Sequence, residues 1–428
     1  MLIDRIIMLL LLRRLIYICQ KINTEIITGM IFTGSNKAKN NLNIVYLYTF
    51  FESFLLVTPI VFPFFSSYDL NLKEIMVLQS VFAITVMLFE VPSGYLADRW
   101  GKKNVLILGS ILRGGAFTTL AYVNTFEFFV IYYILFGISN SCVSGTATSL
   151  LYDSLNKFNI DKAMHSKYLG RMSAFALASE SISAVISGFV AYNSMSAIST
   201  LAAVISWIPL IIIWNYSDSG SNVHNVKFKN RKAFPNKIKI QVVVTSIYSV
   251  YIALITYNCA LLLQERWTSL NVPLYAFGVI ASLFSFVVVL GSNHILKLEN
   301  VLSRKSVINL SYIFAFLSVL FLIYENIILT IISAIFVSFS RVCQITNENL
   351  IYTKLPEENF STIASLISLS FRLSFAITAP FIGMAIDLNG SSWLFTLLLI
   401  IMVVVYPVFL ISYMKFIFEE KNEVFEVG

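Results

Sequence analysis

The sequence predicts an all-α membrane protein of twelve transmembrane helices in two six-helix bundles. Long apolar segments recur along the chain, and a polar loop separates six of them from the other six. The turns between the segments alternate between strongly basic and nearly uncharged. With 57% hydrophobic and only 12% charged residues, and a mean hydropathy of +0.79, the chain has more apolar surface than a soluble domain could bury.

Each apolar segment is long enough for a membrane span of about 20 residues. The segments are centred near Phe54, Thr85, Gly114, Gly137, Ser179, Ser206, Ala253, Ser285, Phe314, Ser338, Leu369 and Val404. The basic turns lie at Arg99–Lys103, Lys157–Lys167, Lys227–Lys237 and Lys297–Lys305. Because short loops rich in Lys and Arg are retained in the cytoplasm, we expect a multi-pass protein of a cell inner or plasma membrane with both termini cytoplasmic.

These patterns predict five regions. We expect a cytoplasmic N-terminal extension over residues 1–42, bundles over 43–215 and 239–417, a cytoplasmic linker over 216–238 and a cytoplasmic tail over 418–428. Within the extension, the apolar run Ile6–Leu12 is too short to cross about 30 Å of hydrocarbon, which favours an interfacial helix. The lipid bilayer is the expected surrounding, and a monomer is the expected state.

Composition and motifs exclude several classes of function. The net charge of +7 comes from Lys and Arg in turns, so we expect no nucleic-acid partner. The four cysteines are widely separated and the three histidines are isolated, so no metal site is expected. The sequence lacks a phosphate-binding glycine motif and a serine elbow. It therefore predicts a protein that is not an enzyme and needs no cofactor.

A short charged turn joins the second and third apolar segments, and reads Gly94-Tyr95-Leu96-Ala97-Asp98-Arg99-Trp100-Gly101-Lys102-Lys103. Gly94 would allow two helices to approach closely, and Gly101 would supply the backbone freedom of a tight turn. Asp98 could cap the next helix. Together with the preceding Phe89-Glu90-Val91-Pro92-Ser93, this stretch resembles the signature of the major facilitator superfamily, in its drug-exporter-like branches.

The resemblance implies the major facilitator fold and a charge relay at the signature. In that family the signature Asp and Arg pair with an acidic residue that ends the fourth helix. Asp98, Arg99 and Asp153 match those positions. With Gly94, Gly101 and Lys102, they are expected to form a conformational latch that stabilises the outward-open state.

Ionisable residues inside apolar segments are costly and therefore informative. Glu52 and Glu180 lie in the first and fifth segments, which line the cavity in the resembled family, and we expect them to carry protons. The alternative is that each only hydrogen-bonds to a neighbouring helix. Arg113, in the third segment, needs an acidic or carbonyl partner and is expected to be structural.

Basic residues of the second half and polar residues of both halves are expected to contact the substrate. Arg341 and Arg372 would attract an anionic or zwitterionic substrate, with buried salt bridges as the alternative. Tyr133, Tyr251 and Asn258 are the other expected substrate-binding residues, since tyrosine combines apolar area with one hydrogen bond. Aromatic residues at helical spacing can equally belong to the core or face lipid.

The resemblance implies a secondary active transporter that exports a small amphipathic compound, such as an antibiotic, peptide or metabolite, in exchange for protons. Two departures from the family leave the coupling open. Tyr133 stands where many proton-driven members have a basic residue, and the fifth segment lacks the Gly-Pro-x-x-Gly-Gly pattern of antiporters. One alternative is an importer or facilitator of a small polar nutrient. Another is a non-transporting membrane receptor.

Overall fold

A computed structural model describes residues 36–122, 124–157, 160, 164–217, 236–301, 304–353 and 357–424. In this part of the chain all regular elements are helices. The first half comprises α1 (Asn36–Glu52), α2 (Val61–Ser66), α3 (Leu72–Trp100), α4 (Lys102–Tyr122), α5 (Phe126–Val143), α6 (Thr146–Lys157), α7 (His165–Asn193), α8 (Met195–Ser206) and α9 (Ile208–Trp214). The second half comprises α10 (Asn236–Ser269), α11 (Leu274–Val301), α12 (Arg304–Leu322), α13 (Ile327–Thr353), α14 (Glu357–Asn389) and α15 (Ser391–Val424).

Twelve crossings are assembled from these helices. Eight helical segments are long and apolar enough to span a membrane, and three shorter apolar helices lie within α11, α12 and α15. The remaining crossing is α1 continued by a 3₁₀ turn at Thr58–Ile60 and by α2. The predicted all-α fold of two six-helix bundles is confirmed.

The first, fourth and sixth crossings are interrupted where the sequence disfavours a continuous helix. Pro59 lies in the 3₁₀ turn that separates α1 from α2, and Pro209 lies in the first turn of α9. Proline lacks the N–H that a helix interior needs, so both positions favour a break. Gly145 separates α5 from α6 with φ of +76°.

Several helices extend beyond the predicted boundaries. α1 begins at Asn36 rather than at residue 43, α10 begins at Asn236, and α15 continues to Val424 through part of the expected tail. Apolar patterning cannot locate these ends, because a helix propagates into polar sequence once it is nucleated. The expected interfacial helix at Ile6–Leu12 and most of the expected linker lie outside the described residues.

The signature turn follows the end of α3. That helix starts with a capping box in which the backbone N–H groups and side chains of Asn71 and Glu74 bond reciprocally over 2.9 Å. It continues through Asp98 to Trp100, and Gly101 follows with φ of 88°. The turn at Gly101 is as expected. The capping role expected of Asp98 is wrong, because Asp98 is inside the last turn of α3 rather than at the start of α4.

The two ends of the molecule are distinguished by their loops. We call the end that carries Trp100, Lys102 and Lys157 the basic end, and the end that carries Asp69 and Asn271 the distal end. The halves pack against each other mainly through α3 with α14 and α7 with α11. These two contacts make the interface that positions the site.

Close backbone contacts join the halves at the distal end. A Cβ atom added to Gly188 of α7 would lie 2.8 Å from the carbonyl oxygen of Leu274, and one added to Gly278 of α11 would overlap the backbone of α7. On the other side of the interface, a Cβ at Gly383 would lie 2.7 Å from Lys73 Cα. Real Cβ atoms do not tolerate such distances, so only glycine fits at these positions.

A carboxylate adds a polar contact to this packing. The backbone N–H of Lys73, in the first turn of α3, donates to Asp387 Oδ2 of α14 over 3.2 Å. A negative charge at a helix N-terminus is favourable because it meets free N–H groups and the positive end of the helix dipole. We call Gly188, Gly278, Gly383, Lys73 and Asp387 the distal seal.

Candidate functional site

A cavity of about 720 Å³ lies between the two halves. Its lining comes from α7 of the first half and from α10, α11, α13 and α14 of the second. On α7, Glu180 precedes Gly188 by eight residues, and on α14, Arg372 precedes Gly383 by eleven. At 1.5 Å per helical residue, the cavity is about 12–16 Å from the distal seal, towards the basic end. The structure is thus closed at the distal end.

Three ionisable side chains of opposite sign meet in this cavity. Glu180 comes from the first half, whereas Arg341 and Arg372 come from the second. Glu180 and Arg341 interact electrostatically across the interface. The structure therefore brings together one predicted proton-carrying residue and two predicted substrate-binding residues, from segments far apart in sequence.

Both arginines are oriented by neighbours on their own helices. Arg341 Nη1 donates to Gln344 Oε1 over 3.0 Å, and Arg372 Nε donates to Ser368 Oγ over 3.3 Å. Each guanidinium has five N–H donors, so the bonds to described residues leave donors available for a ligand. Gln344 and Ser368, which line the cavity, were not predicted from the sequence, because an isolated polar residue in an amphipathic helix has no distinctive pattern.

The remaining walls are largely apolar and aromatic. Tyr257 of α10 packs edge-on against Phe371 and Phe375 of α14, with ring centroids 5.9 and 4.9 Å apart. Phe284, Val337 and Ile367 extend the apolar surface. A cavity with few polar groups on an apolar lining fits a small amphipathic solute.

A second acidic residue approaches the cavity from α3. Glu90 Oε2 is 4.0 Å from Arg372 Nε, which makes an ion pair between the two halves. The same oxygen is buried and has no hydrogen-bond partner among the described residues. Glu90 was predicted only as part of the stretch before the signature turn, because nothing in the sequence indicates that it faces Arg372.

Glu52 is placed elsewhere. Arg113 Nη1 donates to Glu52 Oε1 over 2.9 Å, and the two side chains are only 2% and 11% exposed. The Arg113 guanidinium also lies over the rings of Phe117 and Phe136 at 5.4 and 5.7 Å. Glu52 is not among the described residues that line the cavity, and its carboxylate bonds to a neighbouring helix, while its role in carrying protons stays a prediction. Arg113 has the acidic partner that it was expected to need.

The other predicted substrate-binding residues do not line the cavity. Tyr133 accepts a hydrogen bond from Gln79 Nε2 over 2.6 Å in the core of the first half. Asn258 Nδ2 donates to the carbonyl oxygen of Leu254 over 2.7 Å, and the Tyr251 hydroxyl is buried with no hydrogen-bond partner in the residues that the structure describes. Tyr251 and Asn258 lie on α10, which lines the cavity, but are not among its described lining residues, and Tyr133 lies on α5, which contributes no described residue to the lining. Tyr257 is the tyrosine of α10 that reaches the cavity.

The signature region contains an ion pair different from the expected one. Lys102 Nζ lies 2.6 Å from Asp153 Oδ2 and also donates to the carbonyl oxygen of Ser149 over 3.3 Å. Within the described part of the chain, Asp98 and Arg99 form no ion pair with Asp153. The Arg99 guanidinium instead lies over the Tyr95 ring, 5.3 Å from its centroid, because residues four apart share a helix face.

The close helix approach expected at Gly94 is also absent among the described residues. A Cβ added to Gly94 would have no neighbour within 4 Å. Gly94 lies on an exposed face of α3 in this conformation. The close approaches occur at the distal seal instead.

The fold is similar to those of solved transporters. The nucleoside transporter NupG has a TM-score of 0.68 and 14% identity, covering 89% of this chain and 99% of its own. A POT family transporter in complex with a thioalcohol-conjugated peptide has a TM-score of 0.70 and 14% identity, covering 88% and 96%. A bacterial homologue of the human lysosomal transporter Spinster, in an inward-facing unoccupied conformation, has a TM-score of 0.64 and 12% identity, covering 83% and 84%.

Identities this low establish the fold and nothing finer. No curated protein sequence matches this chain. The family model of the Major Facilitator Superfamily matches residues 42–275, which is more than half of the chain. The chain therefore belongs to the Major Facilitator Superfamily.

Proposed function

We propose that this protein is a secondary active transporter that exports a small amphipathic compound from the cell in exchange for protons. The compound would be of the antibiotic, peptide or metabolite class. The observation that carries the proposal is the cavity between the halves, which is closed at the distal end and has ionisable groups from both halves on its walls. Such an arrangement suits alternating access, in which the halves rock about a central site.

Glu180 is the group best placed to couple protons to the solute. It is the only carboxylate among the described residues that line the cavity, and Arg341 lies within electrostatic range. Deprotonated Glu180, beside Arg341, could accept a hydrogen bond from the solute, whereas a proton on Glu180 would remove that acceptor and favour release of the solute. Loss of the proton at the basic end would restore the acceptor. Proton and solute would therefore compete for Glu180, as antiport requires.

Glu52 remains a second candidate for proton coupling, with a different basis. Its ion pair with Arg113 lies inside the first half, so a proton on Glu52 would alter the packing of that bundle rather than the cavity. We assign the coupling step to Glu180 because it is the carboxylate that shares a cavity with the arginines.

The direction of transport rests on the exporter-like stretch Glu90–Gly94 and on the expectation that the basic end is cytoplasmic. An importer on the same fold would have the same cavity. A non-transporting receptor would not require Glu180, and its activity should survive neutralisation of that residue.

Proteoliposomes test these possibilities together. The test compounds are those that are less toxic to cells that express this protein than to cells that lack it. They would be added to vesicles that contain a pH indicator and the purified protein. We expect compound-dependent proton movement in the wild type and a loss of that movement in Glu180→Gln. Glu127→Gln, which neutralises an exposed carboxylate at the distal end, is the matched control. Solute flux without proton movement would favour a facilitator, and absence of any flux with every active compound would contradict transport.

A further inference from the structure

We propose that the solute carries an anionic group that binds Arg372, and that Glu90 competes with this anion for the same guanidinium. The inference rests on the proposed function and adds a chemical class of substrate and a positioning residue. Glu90 comes from α3 and Arg372 from α14, so the competition takes place across the interface of the two halves.

The Glu90–Arg372 pair is incomplete in this structure. Its 4.0 Å separation allows charge attraction but is too long for a hydrogen bond. Glu90 Oε2 is buried, and the described part of the chain offers it no hydrogen-bond partner, which is costly for a carboxylate oxygen. Arg372 Nε is bonded to Ser368 on its own helix. The guanidinium of Arg372 therefore lies near Glu90, but its N–H groups do not form hydrogen bonds with that carboxylate.

The second half presents two guanidinium groups to one cavity. Arg341 and Arg372 are the basic residues among the described lining, and their bonds to described residues leave N–H donors over. The planar guanidinium of arginine can form two parallel hydrogen bonds to a carboxylate or phosphate. Glu90, at 4.0 Å from Arg372, does not form them. The aromatic surface of Tyr257 and Phe371 would contact an apolar part of the same molecule. The fitting substrate is an amphipathic anion.

Competition of this kind links binding to motion. α3 and α14 belong to different halves and pack along each other. When a solute anion takes the Arg372 donors, the attraction that joins Glu90 to α14 is weakened, and the interface loses one of its charge contacts. Binding of the solute would then favour rearrangement of the halves, because the anion acts directly at the interface between them.

The proposal makes opposite predictions for the two members of the pair. Glu90→Gln removes the internal competitor and should tighten binding of a carboxylate by about fivefold, which corresponds to an ion pair worth ~1 kcal/mol. Arg372→Gln should abolish the preference for a carboxylate over its neutral amide, whereas Arg372→Lys, which keeps the charge, should retain part of it. A merely structural role would alter binding of acid and amide alike.

Binding to the purified full-length protein tests this directly. The probes are N-dansyl-phenylalanine and its carboxamide, which share an aromatic body and differ in the anionic group. Fluorescence titrations would compare wild type, Glu90→Gln, Arg372→Gln and Arg372→Lys, each confirmed as monodisperse. Glu74→Gln is the control on α3, where glutamine preserves the capping box, and Arg171→Gln is a control for loss of a basic residue on α7.

The expected result is preferential binding of the acid, strengthened by Glu90→Gln, lost in Arg372→Gln and unchanged in both controls. Equal binding of acid and amide, no binding of the acid, or weaker acid binding in Glu90→Gln would overturn the proposal. The outcome is separable from that of the proposed function. A protein that moves neutral or cationic compounds in proteoliposomes but ignores the acid would remain a transporter and would refute the anion site.

Discussion

Arg113 donates to Glu52 over 2.9 Å within the first half, and the pair is almost completely enclosed. Buried ion pairs have a characteristic asymmetry. Removing one partner leaves an uncompensated charge and typically costs about 3–5 kcal/mol, whereas replacing both with neutral groups costs much less. This pair therefore fixes α1 against α4. A proton on Glu52 would leave Arg113 without its charged partner.

The first prediction concerns that asymmetry. Arg113→Gln should strongly reduce the yield of folded protein and its thermal midpoint in detergent, because Glu52 would lose its charged partner. The double variant Glu52→Gln with Arg113→Gln should recover much of the loss. Glu127→Gln controls for carboxylate removal at an exposed site. A double variant no more stable than Arg113→Gln alone would show that the pair does not act as a unit.

The second prediction concerns the signature region. Lys102 and Asp153 are 23% and 45% exposed, so their ion pair should contribute no more than about 1 kcal/mol to stability. We expect Lys102→Asp and Asp153→Lys each to impair transport with little change in thermal midpoint, and the combined swap to restore part of the rate. Initial rates of solute flux would measure this. If the swap is no faster than the single variants, the ion pair has no role in transport.

Asp98 provides a separate test in the same region. Asp98→Ala should abolish transport without preventing membrane insertion, as the latch requires. Lys102 is the residue that pairs with Asp153 in the distally closed structure, so Asp98 would act in the other conformation. Flux measurements alongside surface labelling of the inserted protein would check this. Normal rates in Asp98→Ala would remove Asp98 from the latch.

The third prediction concerns the glycine contacts of the distal seal. Valine at Gly278 would overlap the backbone of α7, so Gly278→Val should prevent closure at the distal end. Ala260 lines the cavity, and a cysteine there should then react with a membrane-impermeant maleimide added from the distal side. Native cysteines would first be replaced. Gly115→Val is the matched control, since in the part of the chain that the structure describes a Cβ there has no neighbour within 4 Å. Unchanged labelling in Gly278→Val would contradict the assignment of the seal.

The sequence predicted the helices because apolar length and loop charge report directly on membrane crossing. It also predicted Glu180, Arg341 and Arg372, since a charge inside an apolar segment stands out against its surroundings. The sequence could not predict which helix or cavity each of these charged side chains faces. Glu52 is as conspicuous as Glu180, and only the rotation of α1 against α4 directs it to Arg113 rather than to the cavity.

Contacts between helices were the least predictable feature. Gly94 is part of a recognisable pattern, yet among the described residues a Cβ there has no neighbour within 4 Å, whereas Gly188 and Gly278 pack closely against the opposite half. A single glycine in a helix does not reveal which helix it faces. The Glu90–Arg372 pair could not be predicted either, because it depends on the register between α3 and α14, which the sequence does not reveal.

The central claim is that the halves must separate at the distal end during each transport cycle. Cysteines at Lys73 and Asp387, joined by a short reducible thiol cross-linker in a cysteine-free background, would hold the distal seal shut. Flux through proteoliposomes should stop on cross-linking and return when the linker is reduced, while either single-cysteine variant should be unaffected by the reagent. Transport that continues at the original rate through fully cross-linked protein would contradict alternating access in this molecule.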